Sequence, residues 1–249
     1  RQRRIMQPVF TAEHLAALTD LMVDVIDREV NRLATTSLNA TVDMGREMYA
    51  TALHVLLETM LGPGIEGSET DRLGAAIQAA IEAANLRMIL YFLPERLPLP
   101  RERRGRTAIA TIDEAMTRLV RARRESGAQR TDLLSLLIRA RDEDTGEGMD
   151  DRQLRNELVT MFGAGHETTA TTMAWLWYVL DQNPEVDRRL RAEIASVLGD
   201  RRPTFDDLAG LLTRLFKPGL GALFRRHTQG AIDHEDFMRV TSPLNDGRG

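Results

Sequence analysis

The residues of this chain best equipped for chemistry sit together in Ala164-Gly165-His166-Glu167-Thr168-Thr169. An imidazole, a carboxylate and two hydroxyls occupy four consecutive positions there, directly after a glycine. The segment interrupts what otherwise reads as one long amphipathic helix. A glycine costs about 1 kcal/mol in a helix interior, and the β-branched Thr168, Thr169, Thr171 and Thr172 carry hydroxyls that compete for the backbone carbonyl one turn back. The expected product is a weak, hydratable turn at the helix centre. Zinc chemistry is excluded at this place. His-Glu-x-x-His needs a second His at position 170, which is Ala170, and His14, His54, His227 and His234 have no metal-like spacing, so no metal-ligand set is expected. On their own, the same residues also fit plainer roles. A small residue lets a neighbouring helix pack closely, and Glu167 fits an exposed helix carboxylate.

The helix that must position this turn is signalled from Asp150, a candidate N-cap, through Leu154, Leu158, Met161, Phe162, Met173, Leu176, Trp177 and Leu180 to Asn183-Pro184, where proline forces a stop. At about 1.5 Å per residue it would run roughly 48 Å. Trp175, Trp177 and Tyr178 read as core or interface residues. Helical signals also fill most of the rest. Thr11 caps a pattern reaching about Leu33, with Leu15, Leu18, Met22, Val25, Ile26 and Val30 on one face. A second pattern spans about Val42 to Leu61 and closes at Gly62-Pro63-Gly64, and a third runs from about Glu69 to Leu90. Three prolines then break the regularity between Tyr91 and Pro100, before helical periodicity resumes from about Arg103 to Arg124. After the long helix come one from Pro184 to Leu198, stopped by Gly199, and a short one opened by Thr204 with Asp207 in capping-box spacing. No alternating strand, repeat or heptad run is present in the pattern.

Ala-Gly-x-Glu-Thr-Thr on a long central helix resembles the oxygen-binding helix of the cytochrome P450 superfamily, the haem-thiolate monooxygenases. Thr131-Asp132-Leu133-Leu134-Ser135-Leu136-Leu137, followed by the acidic loop from Asp142 to Asp151, is similar to that family's lead-in to the helix, and Asn183-Pro184-Glu185 with Leu190-Arg191-Ala192-Glu193-Ile194 is similar to the helix that follows. At the other end, Arg1 to Phe10 resembles the stretch just inside the family's Trp-x-x-x-Arg motif, with Arg3 in the Arg place. The likeness runs from residue 1 to about 212. Beyond Leu212 the chain departs from the family: the expected Glu-x-x-Arg helix is missing, and Glu185-Val186-Asp187-Arg188 and Glu69-Thr70-Asp71-Arg72 fit that pattern only in the wrong contexts. Leu215 to Arg226 resembles only weakly the region after that helix. The family's iron-ligating Cys is also missing, because the sequence has none. The chain is accordingly expected to be an incomplete member, with a partial helical domain over 1–212 and an irregular C-terminal tail over 213–249.

The resemblance implies an all-α fold, the helical part of the P450 architecture built around one long central helix with little or no β-sheet. It implies haem (iron protoporphyrin IX) as the cofactor of the complete protein, an apolar organic substrate, O2, and electrons from NAD(P)H through a ferredoxin or flavin reductase, separate or fused. Within the site it implies that Ala164 and Gly165 let the backbone approach the porphyrin, that Thr168 points its hydroxyl at bound oxygen, and that Glu167 relays protons toward Thr168 and its water. It further implies that Thr169 supports Thr168 and that Arg3 pairs with a haem propionate. Met88, Leu90, Tyr91, Phe92 and Leu93 fit a substrate entrance or a piece of core equally well. A second reading is a catalytically silent helical fragment or interaction module, because no thiolate ligand is present.

Composition agrees with a globular helical chain. Of the 249 residues, 43% are hydrophobic and 28% charged, which supports a sizeable core rather than a disordered chain. A net charge of −4 gives no electrostatic case for nucleic acid, and the arginine clusters at 101–106 and 121–124 are small and flanked by acids. Lys217 is the single lysine. No apolar run reaches the roughly 18 residues that span a bilayer, and the chain is expected to be cytoplasmic.

Overall fold

Capping residues set most of the element boundaries. The computed structural model describes residues 2–36, 41–62, 67–90, 102–127 and 130–207. Helix α1 (Gln2–Met6) leads through a 3-10 turn (Gln7–Phe10) into α2 (Ala12–Thr36), where the Thr11 side chain accepts the His14 N–H at 3.4 Å. There follow α3 (Met44–Leu61), α4 (Gly67–Ile89), α5 (Glu102–Ser126) and α6 (Leu133–Arg139). The long α7 (Asp151–Asp181) and then α8 (Pro184–Leu198) complete the series. No strand occurs among the described residues, so the fold class is all-α as expected. The break between Tyr91 and Pro100 and the tail beyond Leu212 lie outside the described residues.

One compact unit is formed by Arg1–His14 and Leu56–Gly165, a second by Leu15–Val55 and His166–Gly249. The first has a core of Leu57, Met60, Leu73, Met116, Val120, Leu134, Leu137, Leu154, Leu158 and Phe162, all essentially inaccessible. Helices α4 and α5 approach so closely that a Cβ on Gly105 would lie 2.4 Å from that of Ala83. The ends of α3, α5 and α6 are tied by one polar junction. Arg123 donates to Asp132 Oδ1 at 2.6 Å and to the Leu61 carbonyl at 2.7 Å, while Asp132 caps α6 by accepting the Ser135 N–H at 2.9 Å.

Gly62 closes α3 beside that junction with φ +81°, its N–H bonded to the Glu58 carbonyl at 2.9 Å. A Cβ there would stand 2.9 Å from Asp132 Oδ2, so side chains are opposed by backbone and neighbour alike. Gly62→Ala is expected to cost about 1–2 kcal/mol from the backbone alone, more from the contact. A denaturant midpoint unchanged from wild type would contradict this.

In the second unit, Leu18 and Val25 of α2 are buried, but Ile26 and Val30 stay 41% and 57% exposed, so the buried stripe is shorter than the periodicity predicts. His54 Nδ1 lies 2.6 Å from Glu29 Oε1, and Arg32 pairs with both Glu29 and Glu47, which joins α2 to α3. The short helix predicted after Thr204 starts at Phe205, with Asp207 Oδ2 accepting both the Thr204 N–H and hydroxyl at 2.8 Å.

Helix α7 corrects one expectation. It stays α-helical through Gly163, Gly165 and the four threonines, with no interruption. Its start is fixed by a reciprocal cap: Gln153 N–H donates to Asp150 Oδ1 at 2.7 Å, and Asp150 N–H to Gln153 Oε1 at 3.1 Å. The hydroxyl competition predicted from the sequence does occur, since Thr172 donates to the Thr168 carbonyl at 2.7 Å. It supplements the ladder without breaking it, and Leu56 packs close against the helix at Gly165.

Candidate functional site

The middle of α7 has a packed side and an open side, and each follows from residue size. On the packed side, a Cβ built on Gly165 would lie 3.3 Å from Leu56 Cδ1, so the missing side chain is what lets α3 sit against the helix. His166, the next residue, is fully buried. Its Nε2 lies 3.2 Å from the Tyr49 carbonyl, and the two rings meet edge to face with centroids 4.0 Å apart. A carbonyl can only accept, so Nε2 carries the proton. Burial pushes the imidazole below its ordinary pKa and keeps it neutral.

On the open side, Gly163 meets nothing within 4 Å of a Cβ, and Ala164 is exposed. Thr168, four residues after Ala164 along the same helix, and Thr169 are exposed as well, and Glu167 is half-buried. These exposed side chains are small, and Glu167 precedes Thr168 directly in the sequence. Gly165 is not on that side. Its contact with Leu56 gives it the close-packing role that its residue type also fits.

Arg3 is exposed on α1, whereas its neighbour Arg4 is engaged with Asp142 at 3.5 Å and with Asp144. Of the residues with a possible entrance role, Met88 is 68% exposed at the end of α4, Leu90 is half-buried, and Tyr91, Phe92 and Leu93 lie outside the described residues. The structure adds a cavity that sequence reasoning missed. About 120 Å³ in volume, it lies among α4, α5 and α7 and is lined by Ile77, Ile81, Ile109, Ile112, Val159 and Phe162, with Gly163 also in its wall. Its one charged wall residue, Asp113, pairs with Arg155. Isoleucines at four- and three-residue spacing on two successive helices were the available signal. No group of acidic or histidine side chains suited to a metal ion occurs among the described residues, and none of the described helices is long and apolar enough to cross a membrane.

Comparison with known proteins places this geometry in a context. The family profile described as Cytochrome P450 matches residues 1–212. Cyclooctat-9-en-7-ol 5-monooxygenase of Streptomyces melanosporofaciens is 35% identical over 211 residues, which are 84% of this chain and 45% of that protein. Pentalenene oxygenase of Streptomyces avermitilis is 31% identical over 85% of this chain and 46% of its own length. Among solved structures, the haem domain of cytochrome P450DA superposes with a TM-score of 0.70 at 28% identity, covering 86% of this chain and 46% of that one. The chain thus spans about half the length of the relatives it matches.

Proposed function

Because this chain belongs to the cytochrome P450 family, we propose that its residues form the oxygen-facing helical part of a haem monooxygenase that inserts one atom of O2 into an apolar organic substrate. The observation that carries the reading is the low, open face of α7, where Ala164 and Thr168 are exposed one turn apart with Glu167 alongside. Those small side chains fit the distal side of a haem, whose iron when bound supplies the site at which O2 is reduced. The thiolate that would hold such a haem has no counterpart here, since the sequence contains no Cys.

Turnover consumes O2, two electrons and two protons for each alcohol and water formed, so residues at the oxygen side must deliver protons without blocking the metal. Glu167 takes protons from solvent, and the Thr168 hydroxyl holds the water that passes them on. Ala164 leaves the room this needs, Thr169 supports Thr168, and Arg3 meets a haem propionate. Electrons come from NAD(P)H through a ferredoxin or flavin reductase. The isoleucine-lined cavity, whose wall includes Gly163, supports an apolar substrate, as do relatives named for pentalenene and cyclooctat-9-en-7-ol.

The second reading, a catalytically silent helical module, is favoured by the missing Cys alone. Reconstitution with haem tests where the thiolate resides. The reduced carbon monoxide complex of this chain is expected to lack the red-shifted thiolate band, because no residue here supplies one. A thiolate-type band from the chain alone would overturn the assignment.

A further inference from the structure

His166 is a fully buried polar group of α7 that the proposed chemistry leaves unused. Its Nε2–H donates to the Tyr49 carbonyl at 3.2 Å, so in the neutral ring Nδ1 is a bare acceptor, and that atom is buried with no hydrogen-bond partner among the described residues. For stability alone this is a poor choice. A buried acceptor left unsatisfied carries its full desolvation penalty, which an apolar side chain of similar size would avoid. What an apolar side chain could not do is make a directional bond. The bond to Tyr49 fixes the rotation of α7 at the residue directly before Glu167 and two before Thr168, and the edge-to-face contact with the Tyr49 ring fixes the imidazole itself.

We propose that His166 is a positioning residue: its Nε2–H holds the turn of α7 that carries Glu167 and Thr168, at the expense of an unsatisfied Nδ1. The functional meaning of that turn rests on the monooxygenase reading, but the positioning itself does not. The test compares two substitutions of equal length in the full chain. His166→Gln keeps an N–H donor at the reach of Nε2, and His166→Met, nearly isosteric with Gln, has none. Amide hydrogen exchange at Glu167–Ala170 is expected to accelerate at least tenfold in His166→Met and to stay within about twofold of wild type in His166→Gln. Exchange at Leu154–Leu158 should be unchanged in both. Equal exchange in the two variants, whether both slow or both fast, overturns the proposal, because the donor would then make no difference. Exchange is read on the chain without cofactor or substrate. Failure of the monooxygenase reading therefore leaves this result intact, and failure here leaves that reading standing.

Discussion

Replacing Asp132 by alanine is expected to lower the unfolding free energy by about 3–5 kcal/mol, the cost of breaking a buried ion pair by deleting one partner. The Asp132 side chain is 1% exposed and that of Arg123 is 11%, so the guanidinium left behind would stay out of water without a counter-charge. The same change removes the α6 cap and leaves the Ser135 N–H without its acceptor. Asp132→Asn should cost less, because the amide oxygen can still cap α6 and accept from Arg123. The exposed pair Arg188–Glu185, with side chains 72% and 66% accessible, supplies the contrast: Glu185→Ala should change stability by about 0–1 kcal/mol. Urea unfolding of the three variants decides the matter. Equal midpoints for Asp132→Ala and Glu185→Ala would mean that the junction of α3, α5 and α6 is not what fixes this part of the fold.

That junction shows what a sequence can and cannot disclose. Asp132, an acidic residue ahead of Leu133-Leu134, is a local cap signal, yet α6 is not among the helices expected from the sequence. Its pairing with Arg123, and Arg123's reach to the Leu61 carbonyl 62 residues away, depend on how three helix ends converge, which no local pattern encodes. Most of the other helix ends were readable through local signals of this kind. Thr11, Asp150, Gly62, Asn183-Pro184 and Gly199 mark ends through backbone chemistry, and the structure ends its helices beside them.

The central turn was half legible. Its residue types suggested a chemistry, but the phase of α7 divides them: Ala164 and Thr168 are exposed, while Gly165 packs toward Leu56 and His166 toward Tyr49. Propensity predicted a weakened helix there, and packing overrode it, since about 1 kcal/mol for a glycine is small beside the contacts that its absent side chain permits. The cavity was missed because Ile77, Ile81, Ile109 and Ile112 read as ordinary core positions until the helices that carry them are brought together.

The measurement that bears most directly on the account is the fate of electrons in the complete enzyme when Thr168 loses its hydroxyl. Thr168 is exposed on the same face of α7 as Ala164, and that face has been assigned to proton delivery. Thr168→Ala removes the hydroxyl proposed to hold the proton-donating water without adding bulk, so haem binding should survive while reduced oxygen escapes as hydrogen peroxide. Positioned proton transfer is worth about 10²-fold at the low end, and product formed per NAD(P)H should fall by that order while NAD(P)H consumption continues. Thr168→Ser, which restores a hydroxyl, should recover most of the coupling. Peroxide and product are quantified against NAD(P)H consumed for the three proteins side by side. A peroxide share that rises steeply in Thr168→Ala and returns toward wild type in Thr168→Ser is the predicted result; the same product yield per NAD(P)H in all three would contradict it and remove Thr168 from the mechanism.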